Sequence, residues 1–179
     1  MFGLTKGQFS LIDLAAAALE HTGPAAVSVW TWCIADYEVQ AFSAFMGDGR
    51  ITSLRVVMDW AGAQRDMPLV GELQEKYGAD CIRVTKTHAK IVTAVNAEWS
   101  VTIRGSMNLN ANPRFEQFDV SDDPGILAVV DSVMQELWER GKPLPARQLD
   151  HAGAVALLDA GEVKQAPVSW APPATKRWW

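Results

Sequence analysis

The stretch THAKIVTAVNAEWSVTIRGSMNLNANPRFEQFDV, residues 87–120, decides how the rest of the chain is read. His88 and Lys90 stand two apart, the spacing that puts both side chains on one face of a strand. Ser106 and Asn108, just after Gly105, are again two apart. Between these pairs run Ala89 to Val95 and Trp99 to Ile103, joined by Asn96-Ala97-Glu98, which predicts a hairpin. The hairpin lays the start of its first strand beside the end of its second, so an imidazole, an ammonium, a hydroxyl and a carboxamide converge. That set suits a phosphate. Lys90 supplies charge, Ser106 and Asn108 supply oriented donors, and His88 supplies a nucleophile or acid near neutral pH. Gly105 allows the backbone to approach a ligand closely.

Charge is distributed to match. The 179-residue, 19.6 kDa chain has a formal net charge of −5. Its acidic residues crowd the flanks, while residues 81–114 hold Arg83, Lys86, Lys90, Arg104 and Arg114 against the single acid Glu98. A positive stretch inside an acidic protein points to a bound anion. Arg104 and Arg114 are candidates to line that phosphate groove alongside Lys90, Gly105, Ser106 and Asn108.

Outward from the hairpin, strands and helices alternate. Toward the N-terminus, the apolar spacing predicts an amphipathic helix over 10–20, in a leading segment whose polar residues exclude a signal peptide. A buried strand over 25–35, a helix over 36–46, a strand over 51–58 and a helix from about 64 or 68 to 77 follow. A short strand over 81–85 precedes the hairpin. Downstream, 115–120 suits another strand, and 124–140 is a helix with Ile126, Leu127, Val130, Val133, Met134 and Leu137 in period. The pattern implies an α/β layered domain with a mixed β-sheet over 1–140. Residues 141–179 hold five of the nine prolines and form a C-terminal extension, with a short helix over 146–158 and then an extended Pro/Trp-rich tail. Trp170, Trp178 and Trp179 in that tail call for a surface on this protein or on a protein partner. Trp30, Trp32, Trp60 and Trp99 are assigned to the core or a dimer interface rather than to base stacking.

Composition bounds the class. Hydrophobic residues at 49% and charged residues at 21%, with mean hydropathy −0.01, describe a soluble globular protein. No apolar run spans a bilayer, so no membrane partner is expected. Cys33 and Cys81 sit in apolar surroundings and read as buried thiols, with the cytoplasm as the default compartment.

The segment resembles the phospholipase D superfamily, whose motif is H-x-K-x4-D-x6-G-S-x-N. His88, Lys90, Gly105, Ser106 and Asn108 match it, and Glu116 stands where many members carry a downstream acid. Two positions depart: Val95 replaces the motif Asp, and His88 to Asn108 spans 20 positions instead of 17. The resemblance implies a phospholipase D-like phosphodiesterase that needs no cofactor or metal. One histidine attacks phosphorus to give a phosphohistidine, and a second protonates the leaving oxygen. A chain with one motif, like other single-motif members, then works as a two-fold homodimer with His88 facing His88. Lys90 and Asn108 would neutralise the equatorial oxygens, and Glu116 would orient His88. Nucleic acid, DNA or RNA, is the first substrate class expected. The alternatives are a catalytically silent nucleic-acid-binding or assembly module, and a phospholipid headgroup hydrolase.

Overall fold

β-Branched runs punctuated by Gly and Pro fold as the alternation requires. The computed structural model describes residues 1–110 and 113–140. In chain order the elements are β1 (Phe2–Lys6), α1 (Leu11–Thr22), β2 (Ala25–Thr31), α2 (Asp36–Gly47), β3 (Ile51–Asp59), α3 (Trp60–Arg65) and α4 (Met67–Tyr77). They continue with β4 (Ile82–Thr85), β5 (Ile91–Val95), β6 (Ser100–Gly105), β7 (Phe115–Ser121) and α5 (Pro124–Arg140). The boundary at 140 and the extension, with its helix over 146–158 and its three tryptophans, lie outside the described residues.

The strands form one mixed sheet in the order β1-β7-β6-β5-β2-β3-β4. β2, β3 and β4 run parallel, as helical crossovers require, and β5 turns antiparallel against β2. The hairpin forms in the register that pairs Ile91 with Arg104 and Val95 with Ser100, closed by the Asn96 N–H on the Trp99 carbonyl at 3.0 Å. One face of the sheet packs against α1, α2 and α4 through fully buried Leu11, Leu19, Phe42, Met58, Leu73 and Ile103. Each such side chain contributes about 1.5–3 kcal/mol on leaving water. The other face takes α5, whose Val130, Met134 and Leu137 cover Trp30 and Val57. The layered architecture agrees with the sequence.

Three details differ from the expectations. Residues 2–6 form a strand, β1, on the sheet edge against β7. Its inward residues are Gly3 and Thr5, and the room Gly3 leaves is taken by the Phe118 ring, so hydrophobicity gives the strand no signal. A separate helix, α3, begins at once after β3, where Asp59 accepts from the Ala61 N–H at 2.9 Å. Finally, β2 ends at Thr31 rather than at 35, and β5 starts at Ile91 rather than at 89. The residues released at those ends build the site.

Candidate active site

The carboxyl ends of β2, β3 and β4 and the open end of the β5–β6 hairpin share one edge of the sheet, the position where open α/β sheets take ligands. Strand alternation sorts the hairpin residues there. Ile91 and Arg104 are paired and face α5, so Lys90 faces the opposite side. The ladder extends one residue past β5, with the Gly105 N–H donating to the Lys90 carbonyl at 3.1 Å. Lys90 is 4% exposed, and its ammonium donates to the His88 carbonyl at 2.6 Å and reaches His88 Nδ1 at 2.8 Å. His88 itself is exposed. An ammonium has no lone pair, so in this contact Nδ1 is the acceptor. Nε2 is then the ring nitrogen left for a ligand. Burial lowers the Lys90 pKa, opposed by the nearby acids Glu116 and Asp59 and by Cys33.

The segment from Ser106 to Leu109 closes the site from the other side. The Ser106 hydroxyl bonds the Glu116 carboxylate and accepts from the Gln117 N–H at 3.0 Å. Asn108 Oδ1 accepts from the Trp32 N–H at 3.3 Å, and the Ala35 N–H donates to the Leu109 carbonyl at 3.1 Å. These bonds tie the G-S-x-N segment to the end of β2. The amide nitrogen of Asn108 is thereby turned away from the backbone that holds its oxygen. Glu116 lies on the Lys90 side of the sheet and adds a negative field to it. The expected bond from Glu116 to His88 is not made among the described residues, where the carboxylate is engaged with Ser106.

Two predicted phosphate ligands are not in this cluster. Arg104 lies on the α5 face and pairs with Asp119 across the strands. Arg114 is exposed in the connection before β7. Gly105 is close-packed for a reason internal to the sheet: a Cβ there would meet the Gln117 carbonyl at 2.6 Å. Val95, at the motif Asp position, sits at the far end of β5 opposite Ser100, five residues and roughly 17 Å of strand from Lys90. That replacement therefore lies away from the cluster around Lys90.

Sequence reasoning missed the residues that set the loops. Asp59 caps α3 and also accepts from the Thr87 N–H at 3.0 Å, which fixes the turn into His88. Asp66 accepts from the Ile34 N–H at 3.2 Å and forms a bidentate pair with Arg65. Asp59 directly before a short helical run is an N-cap signal that could have been found. Cys33 and Cys81 are both buried and free, and burial raises both thiol pKa values, Cys81 to about 11. Among the described residues no three His, Cys, Asp or Glu side chains are placed to hold a metal. None of the described helices is long and apolar enough to cross a membrane.

No family model matches the sequence, and no curated protein matches it. Solved structures do. Nuc from Salmonella typhimurium, a phospholipase D family member, superposes with a TM-score of 0.59 at 15% identity, over 80% of this chain and 96% of that one. The chain has the phospholipase D fold. NucT from Helicobacter pylori matches the same fold with a TM-score of 0.54 at 14% identity, over 78% of this chain and 96% of its own. A polyphosphate kinase from Porphyromonas gingivalis contains it as 27% of its length, with a TM-score of 0.56 at 12% identity over 81% of this chain. In this phospholipase D fold, the open end of the β5–β6 hairpin carries His88, Lys90, Ser106 and Asn108.

Proposed function

We propose that this protein is a metal-independent phosphodiesterase, a nuclease acting on DNA or RNA as a two-fold homodimer. The observation that carries the reading is the buried Lys90 ammonium held against an exposed His88 ring, in a phospholipase D fold. Lys90, the Asn108 amide and the Ser106 hydroxyl offer charge and donors to the non-bridging oxygens of a phosphate, the arrangement that stabilises charge developing in phosphoryl transfer. The His88 that serves as acid for the leaving oxygen is the imidazolium, protonated on both nitrogens, which gives up its Nε2 proton and becomes the neutral ring. Attack needs the neutral ring, with Nδ1–H given to an acceptor, and Glu116 is the acid suited to receive it. One ring cannot hold both states at once. Two copies of His88 facing across a dimer axis divide the roles, one forming the phosphohistidine and the other donating and later recovering the proton.

The test is cleavage of labelled single- and double-stranded DNA and RNA, and of a phosphatidyl substrate, in EDTA. The reading predicts nucleic-acid cleavage without added metal and its loss in His88→Ala. A strict requirement for Mg²⁺, or selective turnover of the lipid, counts against it.

A further inference from the structure

The face of the sheet away from Lys90 carries a cavity of about 520 Å³ between α5 and the strands. Its floor is a cross-strand row in which Ser28 of β2 stands beside Arg55 of β3 and opposite Thr93 of β5. Two residues away along each strand, Trp30, Val57 and Ile91 are packed under α5 against Val130, Met134 and Leu137. At the row itself the helix leaves space. Thr93 is 4% exposed, yet its hydroxyl bonds no described residue, and neither does the half-buried hydroxyl of Ser28. Buried hydroxyls are ordinarily bonded, so open ones around a cavity of this size mark a place for a polar guest.

Two charges line the same cavity without meeting each other. The Arg55 guanidinium lies over the Trp138 ring at 5.2 Å and makes no ion pair or hydrogen bond with a described residue. Asp131, on α5, is exposed and equally unpaired. The other acid in the wall, Asp80, is already bonded to Arg83 at 2.6 Å. An opposite pair held apart across a cavity suits a molecule that carries both signs. Its carboxylate meets Arg55 and the hydroxyls of Ser28 and Thr93, and its ammonium meets Asp131. Leu127, Met134 and Trp138 give it an apolar wall. A simple anion leaves Asp131 facing its own charge, and a simple cation does the same to Arg55.

We infer that this cavity binds a free α-amino acid with an apolar side chain, its carboxylate on Arg55 and its ammonium on Asp131. The site lies on the opposite face of the sheet from Lys90 and does not depend on the phosphodiesterase reading.

NMR titration of the full-length protein reads binding without reference to turnover. The ligands are leucine, methionine, phenylalanine and tryptophan, at concentrations up to about 10 mM. Each is paired with its amide, which lacks the carboxylate, and with its N-acetyl form, which lacks the ammonium. At least one of the four should shift the backbone resonances of Ser28, Arg55 and Thr93. Its amide should bind about tenfold more weakly, and its N-acetyl form about threefold, because Asp131 is exposed and screened. Arg55→Gln should bring the amino acid and its amide to equal affinity, and Asp131→Asn should do so for the amino acid and its N-acetyl form. If Arg55→Gln does not fold, Thr93→Val keeps the side-chain shape, removes the hydroxyl and should weaken the amino acid more than its amide. The inference is overturned if none of the four shifts these resonances, or if the parent and both derivatives bind alike. A loss confined to one derivative marks a simple anion or cation site and overturns the amino-acid assignment.

Discussion

Lys90 is a cation at 4% exposure, and burial lowers its pKa below the ordinary lysine value. The unfolded chain thus holds this proton more tightly than the folded one. The charged form opposes folding at neutral pH, and the penalty is relieved only as pH rises through the alkaline window between the two values. Lys90→Met is expected to melt no lower than the unsubstituted protein at pH 7 while losing turnover by about 10²- to 10³-fold. Calorimetry and the EDTA cleavage assay, run on the same sample, check both halves. Glu38 behaves in the opposite sense. It is 1% exposed, and burial raises its pKa against the opposing N–H groups of Glu38 and Ala35. Its cost is absent below the ordinary carboxylate range, grows as pH rises through the raised value, and is complete above it. Glu38→Gln should stabilise the protein at neutral pH and make no difference in acid, as read by denaturant melts at the two pH values.

At the scale of elements, the site depends on one close approach. Gly62 of α3 lies so near the end of β2 that a Cβ would meet the Trp32 carbonyl at 1.6 Å. Gly62→Ala must push α3 off the Trp32 peptide whose N–H holds Asn108. A loss of about 2–3 kcal/mol or more in urea unfolding is expected, with reduced turnover in the fraction that stays folded. This contact also shows where the sequence was legible and where it was not. The hairpin, the parallel strands and α5 announce themselves by β-branched alternation or helical period. The pairs His88-x-Lys90 and Ser106-x-Asn108 lie just outside β5 and β6, so strand alternation alone does not orient them. Helix α3 is six residues with a glycine in it, a pattern that reads as a break. Strand β1 turns small residues inward and Phe2 and Leu4 outward, so its pairing with β7 leaves no hydrophobic signature. Arg104 was placed near the phosphate by its charge, but its side chain faces α5 and Asp119, a choice set by strand register.

For the whole molecule, a net charge of −5 means that the proposed reaction would have to take its polyanion at the edge that carries Lys86 and Lys90. Within one chain there is one His88, and the proposed reaction needs two. Sedimentation at dilute concentration should return twice the 19.6 kDa chain mass. A monomer that cleaves at full rate would remove the shared site. The covalent intermediate tests the central claim most directly. In EDTA, protein quenched under alkaline denaturing conditions during turnover should yield a peptide carrying the phosphoryl adduct on His88, stable in base, labile in acid and absent from His88→Ala. Sustained cleavage by His88→Ala, or turnover of the unsubstituted protein with no phosphorus on His88, would contradict the account.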